Sequence, residues 1–395
     1  MIKRILYLYI LIMCPGLAFA QINTDRVMAI GRNALYFEDY VLSIQYFNQV
    51  INAKPYLSDP YFYRGLAKIN LDDFQGAESD CSEAIERNPF VVSAYQVRGL
   101  ARIQQNNFAG AIEDYTKALE FDPENIGVWH NMALCRIRQE DYKGAKNDLD
   151  KLIAISPRYT KAYLMRGEVD LKQKDTLAAE KDFGKAIEID RYDADTWASR
   201  AILRLQQQRY KDAEADFDHA IRLSTRNSGV YINRALARYH QNNLRGAMSD
   251  YDIALDIDPN NFIGHYNRGL LRAQVGDDNR AIQDFNFVIE MEPDNMMAIF
   301  NRGLLLDQTG DYKGAIKDYS TVINEYPNFL LGYQYRAQAR RKIGDVKGAD
   351  ADEFKVLKAQ LDKQNGVDPN KQTADNTENN KTRKTVSYTH LRAHE

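Results

Sequence analysis

Residues 92–125 read VSAYQVRGLARIQQNNFAGAIEDYTKALEFDPEN, and residues 228–261 read SGVYINRALARYHQNNLRGAMSDYDIALDIDPNN. The two stretches are 34 residues each and align without a gap: Tyr95 on Tyr231, Arg98 on Arg234, Arg102 on Arg238, Asp114 on Asp250, Pro123 on Pro259. The phase extends both ways. Pro55, Pro89, Pro123 and Pro157 precede Pro259, Pro293 and Pro327, with Arg191 and Thr225 in the intermediate slots. A fixed period of this length marks stacked supersecondary units. With the proline as position 32, ten repeats start near 24, 58, 92, 126, 160, 194, 228, 262, 296 and 330 and end at about Lys363.

Position 8 is always Gly or Ala, position 20 is Ser43 once and otherwise Ala, and position 27 is Ala, Val or Leu. Aromatics recur at positions 4, 17 and 24. Positions 4, 8 and 11, like 20, 24 and 27, are three or four apart, so each set shares one helix face. Small residues let two antiparallel helices approach, and rings fill the gaps that remain. Position 16 is Asp or Asn except at Arg209, a short acceptor that caps a second helix. Gly276, Gly310 and Gly344 precede it, where a first helix ends in a left-handed turn. The proline at 32 stops the second helix.

This pattern of small residues, aromatics and proline resembles the tetratricopeptide repeat (TPR) over about 340 of the 395 residues. The resemblance implies an all-α fold, a right-handed α-solenoid of ten helix pairs making somewhat more than one superhelical turn around a concave groove. The last helix, from about Asp345 to Asp362, would act as the C-terminal cap, with Phe354, Val356 and Leu357 facing inwards.

Position 7, usually apolar in that family, is Arg64, Arg98, Arg166, Arg200, Arg234, Arg268, Arg302 and Arg336. Position 23 is Asp80, Asp114, Asp148, Asp182, Asp216, Asp250, Asp284, Asp318 and Asp352. Position 11 adds Arg102, Arg136, Arg204, Arg238, Arg272 and Arg340. Pairing positions 7 and 23 within a repeat orphans only Asp148, opposite Met132; pairing each Asp to the next repeat's Arg adds mismatches at Tyr46 and Asp352. A structural ion ladder from first to second helix is therefore expected.

Family resemblance places positions 2, 5, 6, 9, 12 and 13 on or near the concave face. Groove candidates there are Asn131, Asn233, Asn267 and Asn301 at position 6, and His130, Tyr266 and Phe300 at position 5. Amides and rings suit the backbone of an extended protein or peptide ligand. An equal alternative is that Asn before Arg belongs to the repeat's own core. The carboxylate clamp of chaperone-binding family members is missing, since position 5 holds Phe62, Gln96 and Leu164 and position 9 holds Leu66, Leu100 and Leu134.

Formal net charge is −3 with no basic run, which argues against nucleic acid as a partner. No phosphate-binding loop, nucleophile elbow or metal-ligand spacing appears, so no enzyme activity, cofactor or metal is expected. Lys3 and Arg4, the apolar run Ile5–Met13 and Ala18-Phe19-Ala20 read as a signal peptide at 1–20, too short to span a bilayer. The destination would be the periplasm, cell envelope or exterior, with no transmembrane segment after cleavage. Met13 argues against a lipid anchor at Cys14. Cys81 and Cys135 read as small buried hydrophobes. The solenoid is assigned to 21–363 and the polar stretch 364–385 to a disordered tail or linker. Residues 386–395 back-translate to a sequencing adapter and are expected to be foreign to the gene. The reading is a non-catalytic binding scaffold; the alternative is the sensory N-terminal region of a larger, truncated signalling kinase or hydrolase.

Overall fold

A computed structural model describes residues 23–223 and 226–365. The signal peptide, Cys14, the tail beyond residue 365 and the adapter-like end lie outside the described residues. Those residues form twenty α-helices and no strand. They divide into two units, one ending at Tyr192 and the other beginning at Asp193.

The first unit holds α1 (Thr24–Tyr36), α2 (Tyr40–Ala53), α3 (Asp59–Ile69), α4 (Phe74–Arg87), α5 (Val92–Gln104), α6 (Phe108–Phe121), α7 (Ile126–Arg138), α8 (Tyr142–Ile155), α9 (Thr160–Lys172) and α10 (Thr176–Ile189). The second holds α11 (Ala194–Gln206), α12 (Tyr210–Arg222), α13 (Ser228–His240), α14 (Leu244–Ile257), α15 (Phe262–Gln274), α16 (Asp278–Met291), α17 (Met296–Thr309), α18 (Tyr312–Glu325), α19 (Leu330–Lys342) and α20 (Val346–Gln364). In each unit, helices pack chiefly on their neighbours in sequence, and some first helices also touch the next first helix: α1 meets α3 and α3 meets α5 in the first unit, and α11 meets α13 and α17 meets α19 in the second. Every repeat is thus one helix pair of an all-α solenoid.

The pair is set by a sixteen-residue register. A Cβ added to Gly31 would lie 2.7 Å from the Phe47 ring, at Gly99 2.7 Å from Tyr115, and at Gly167 2.6 Å from Phe183. The ring at position 24 therefore lies flush against position 8. Phe47, Tyr115, Phe183, Phe217 and Phe285 are fully buried there. Cys81 takes the ring's place opposite Gly65. Cys81 and Cys135 are buried free thiols, and burial pushes Cys81 up to about 12.

Second helices begin on their caps. Asp39, Asp73, Asn107, Asp141, Asp175, Asn243, Asp311 and Asp345 each accept the N–H three residues on. Asp277 makes no such bond, a departure from the sequence expectation, and neither does Arg209. Position 15 is left-handed in all ten repeats. Gly276, Gly310 and Gly344 take φ of 80–93°, and Glu38, Asp72, Asn106, Glu140, Lys174, Gln208 and Asn242 take φ of 59–65°. Only three repeats have the residue that adopts this conformation without steric cost.

The last helix corrects one expectation. Val356 is 7% exposed, but Phe354 and Leu357 are 67% and 53% exposed. Ala349, Asp352 and Val356 share the face that meets α19, and helical phase puts residues 354 and 357 away from it.

Lys174→Gly, at an exposed left-handed position, is expected to raise unfolding stability by about 0.5–1 kcal/mol. Urea denaturation of the two proteins measures it, and a loss of stability would contradict the strain argument.

Candidate functional site

The same register carries charge. Each position 7 arginine donates through Nε and Nη2 to both oxygens of the aspartate sixteen residues on. In the first unit the pairs are Arg64–Asp80, Arg98–Asp114 and Arg166–Asp182, with contacts of 2.5–3.1 Å. In the second they are Arg200–Asp216, Arg234–Asp250, Arg268–Asp284, Arg302–Asp318 and Arg336–Asp352, at 2.5–3.1 Å. The carboxylates are 1–5% exposed. Two parallel bonds satisfy the planar guanidinium and carboxylate together.

The third guanidinium nitrogen reaches backwards. Nη1 of Arg64, Arg98 and Arg166 donates to Asn48, Ser82 and Asp150, at 2.6, 3.1 and 2.6 Å. In the second unit Nη1 of Arg234, Arg268, Arg302 and Arg336 donates to Asp218, Asp252, Asn286 and Ser320 at 2.7–2.9 Å. These acceptors occupy position 25 of the preceding repeat, so each such rung ties three helices. Sequence reasoning missed them because Asn, Ser and Asp share an oxygen acceptor and no residue identity.

Position 11 adds a cross-bond. Arg102, Arg136, Arg204, Arg238, Arg272 and Arg340 donate to the aspartates of their own repeats at 2.7–3.0 Å. Arg102 and Arg238 also pair with Glu78 and Glu214 of the preceding repeat, both at 2.8 Å. In the fifth repeat the polarity reverses: Asp170 stands at position 11, and Lys146 answers it at 2.5 Å.

Position 4 supplies the floor. The guanidinium carbon of Arg64, Arg98, Arg166, Arg200, Arg234 or Arg336 lies 5.1–5.7 Å from the ring centroid of Tyr61, Tyr95, Tyr163, Trp197, Tyr231 or Tyr333. In the eighth repeat His265 takes this position and binds Asp284 through Nδ1 at 3.0 Å. Burial alone would raise Asp284; the bonds from His265 and Arg268 outweigh it and hold the carboxyl below its ordinary value. The Asp318 bond likewise raises Arg302.

One rung is incomplete. Met132 stands where the fourth repeat would carry arginine, and Asp148 receives only Arg136. Asp148 Oδ2 is buried without a hydrogen-bond partner among the described residues. Burial pushes its carboxyl up to about 7, although Arg136 pulls it down.

The groove candidates separate. Asn131, Asn233 and Asn267 are half-buried on first helices. Asn301 is also half-buried and donates to the Tyr266 hydroxyl at 3.1 Å, joining neighbouring first helices. His130 Nδ1 lies 3.3 Å from the Tyr159 hydroxyl. Phe300 corrects the expectation of a groove side chain. It is 3% exposed and packs against Tyr319, Phe329 and Tyr335. A ring offered three ring partners gains more from burial than from display. Among the described residues no His, Cys, Asp and Glu group is arranged to hold a metal.

Tetratricopeptide-repeat family models match residues 99–135, 126–193, 199–262 and 266–328. The chain belongs to the tetratricopeptide repeat family. A TPR protein from Parabacteroides merdae ATCC 43184 is 21% identical, with a TM-score of 0.50 over 63% of this chain and 98% of that one. The C-terminal part of a TPR repeat-containing protein from Cytophaga hutchinsonii is 18% identical, with a TM-score of 0.50 over 60% and 97%. These likenesses are to the TPR fold. No curated protein matches the chain.

Two outcomes test the ladder. Arg234→Met removes the bidentate pair and leaves Asp250 held by Arg238 alone, as Asp148 is held by Arg136, and is expected to cost about 1–3 kcal/mol; an unchanged urea midpoint would show that the rung contributes nothing. Asp148 gives the second test. Between its unfolded pKa, about 4, and its folded value, about 7, the folded state keeps a proton that the unfolded chain has released. Its stabilising contribution is whole below about pH 4 and is lost as pH rises towards 7. Asp148→Asn cannot ionise, so its stability relative to the parent is expected to rise by about 2 kcal/mol or more from pH 4 to pH 8. A pH-independent difference in urea titrations would refute this.

Proposed function

We propose that this TPR chain is a non-catalytic scaffold of the bacterial cell envelope that binds an extended segment of a partner protein along its first helices. The observation that carries this is the run of Asn233, Asn267 and Asn301 at one position of three successive first helices in the second unit. Among the described residues no hydrogen bond engages the side-chain amides of Asn233 and Asn267. A half-buried amide offers both a donor and an acceptor, which suits the backbone of an extended peptide and asks little of its sequence.

Two further observations support the reading. The repeat's packing and ladder account for the charged residues that would otherwise suggest chemistry. No helix among the described residues is long and apolar enough to cross a membrane, which accords with a folded array released by signal cleavage. Export itself rests on residues 1–20 of the sequence.

A photo-crosslinking residue at Asn233 or Asn267, in cells of the native host, is expected to give a discrete adduct with one envelope protein. The same residue at exposed Lys185 on a second helix is expected to give none. Equal adducts from all three sites, or none from the asparagines, would overturn the assignment.

A further inference from the structure

The incomplete rung of the fourth repeat has what the complete rungs have, except the guanidinium. Asp148 presents Oδ2 without a partner and is 3% exposed. Trp129 stands at position 4, where other Tyr or Trp side chains carry an arginine 5.1–5.7 Å from the ring centroid. Thr116 occupies position 25 of the preceding repeat, the place from which Ser82 and Ser320 accept Nη1. Its hydroxyl donates to the Ile112 carbonyl at 2.7 Å, as Ser82 and Ser320 donate to Glu78 and Ile316, and it lies 4.0 Å from Met132 Sδ. These residues line an open, solvent-facing pocket of about 400 Å³ together with Met132, Arg136 and Glu120. Thr116 and Glu120 are exposed at its mouth.

We propose that this pocket is a binding site for a monoalkylguanidinium group, the arginine side chain of a partner polypeptide, which completes the rung from outside. The fork to the carboxylate, the aromatic floor and the hydroxyl acceptor are those that the chain itself uses for arginine. Arg136 does not block the site. Asp114, Asp216, Asp250, Asp284 and Asp352 each hold a position 11 arginine and a position 7 arginine on one carboxylate. Lysine has a point charge and no planar fork, so it cannot present one edge to the carboxylate, another to the hydroxyl and a flat face to the ring as a guanidinium does. None of the asparagines along the first helices lines this pocket, so the site stands or falls apart from the scaffold reading.

Trp129 and Trp197 are the chain's two tryptophans, so a Trp197→Phe background isolates Trp129 fluorescence. Titration with N-acetyl-arginine methylamide is expected to give a saturable change. The lysine analogue should bind at least tenfold more weakly, as should the arginine probe to Asp148→Asn. Met132→Arg is expected to fold, melt higher and lose the saturable response, because it fills the rung from within. Free L-arginine, with its own carboxylate near Glu120 and Asp148, should bind no more tightly than the capped probe. Equal binding of the lysine analogue, an unchanged response in Met132→Arg or Asp148→Asn, or no saturable response at all would overturn the site. Tighter binding of free arginine would overturn its assignment to a polypeptide.

Discussion

A carboxylate buried between two helices must find a cation, and in this chain that requirement recurs in nine of the ten repeats. The aspartate at position 23 is almost wholly out of water, and ionised side chains tolerate that only when paired and hydrogen-bonded. The pair demands that position 7 of one helix lie opposite position 23 of the next. The same offset seats the ring of position 24 on the small residue at position 8. Charge and shape therefore specify one register twice over, and a slip of a single residue would strand a carboxylate and drive a ring into backbone. Buried ion pairs contribute modestly to net stability compared with an apolar replacement. Here their larger effect is on alignment, within the pair and, through Nη1, with the preceding repeat.

The ladder tolerates exchange of its parts so long as charge and hydrogen bonding balance. Lys68 stands in for the position 11 arginine on Asp80, at 2.9 Å. His265 replaces a ring at position 4 and bonds Asp284 directly. Lys146 and Asp170 invert the pair made by Glu78 and Arg102. The first repeat, with Ile30 and Tyr46, dispenses with the rung and relies on Phe47 and Val50, both fully buried. Against this background Met132 is different, because the methionine leaves the Asp148 carboxylate and the Trp129 ring in place. A lost donor with its acceptors retained is what makes the fourth repeat a candidate for recognition.

The periodic sequence contained its own local instructions. Caps at position 16, the proline at 32 and small residues at 8, 20 and 27 act through the backbone and nearest neighbours, so helix limits were legible from residue types alone. The preference for pairing within a repeat was legible too, because the alternative required more unmatched side chains. The left-handed turn at position 15 was half-legible: three glycines announced it, whereas Glu, Lys, Gln, Asp and Asn elsewhere are carried into it by the helices on either side.

What only the tertiary structure decided is the surroundings of side chains that carry no periodic signal. Phe300 and Phe354 are both phenylalanines on well-formed helices, yet one is enclosed by three rings and the other faces solvent. Their fates depend on which neighbours the fold supplies. The position 25 acceptors of Nη1, and the pocket beside Met132, were likewise invisible in sequence, because an oxygen in reach of a guanidinium is a matter of placement. Sequence determined the repeat, its caps and its charge pairs, since these follow from local backbone chemistry at fixed spacing. Burial and access at single sites were settled by packing between helices, since the free energy of a buried group depends on what lies against it.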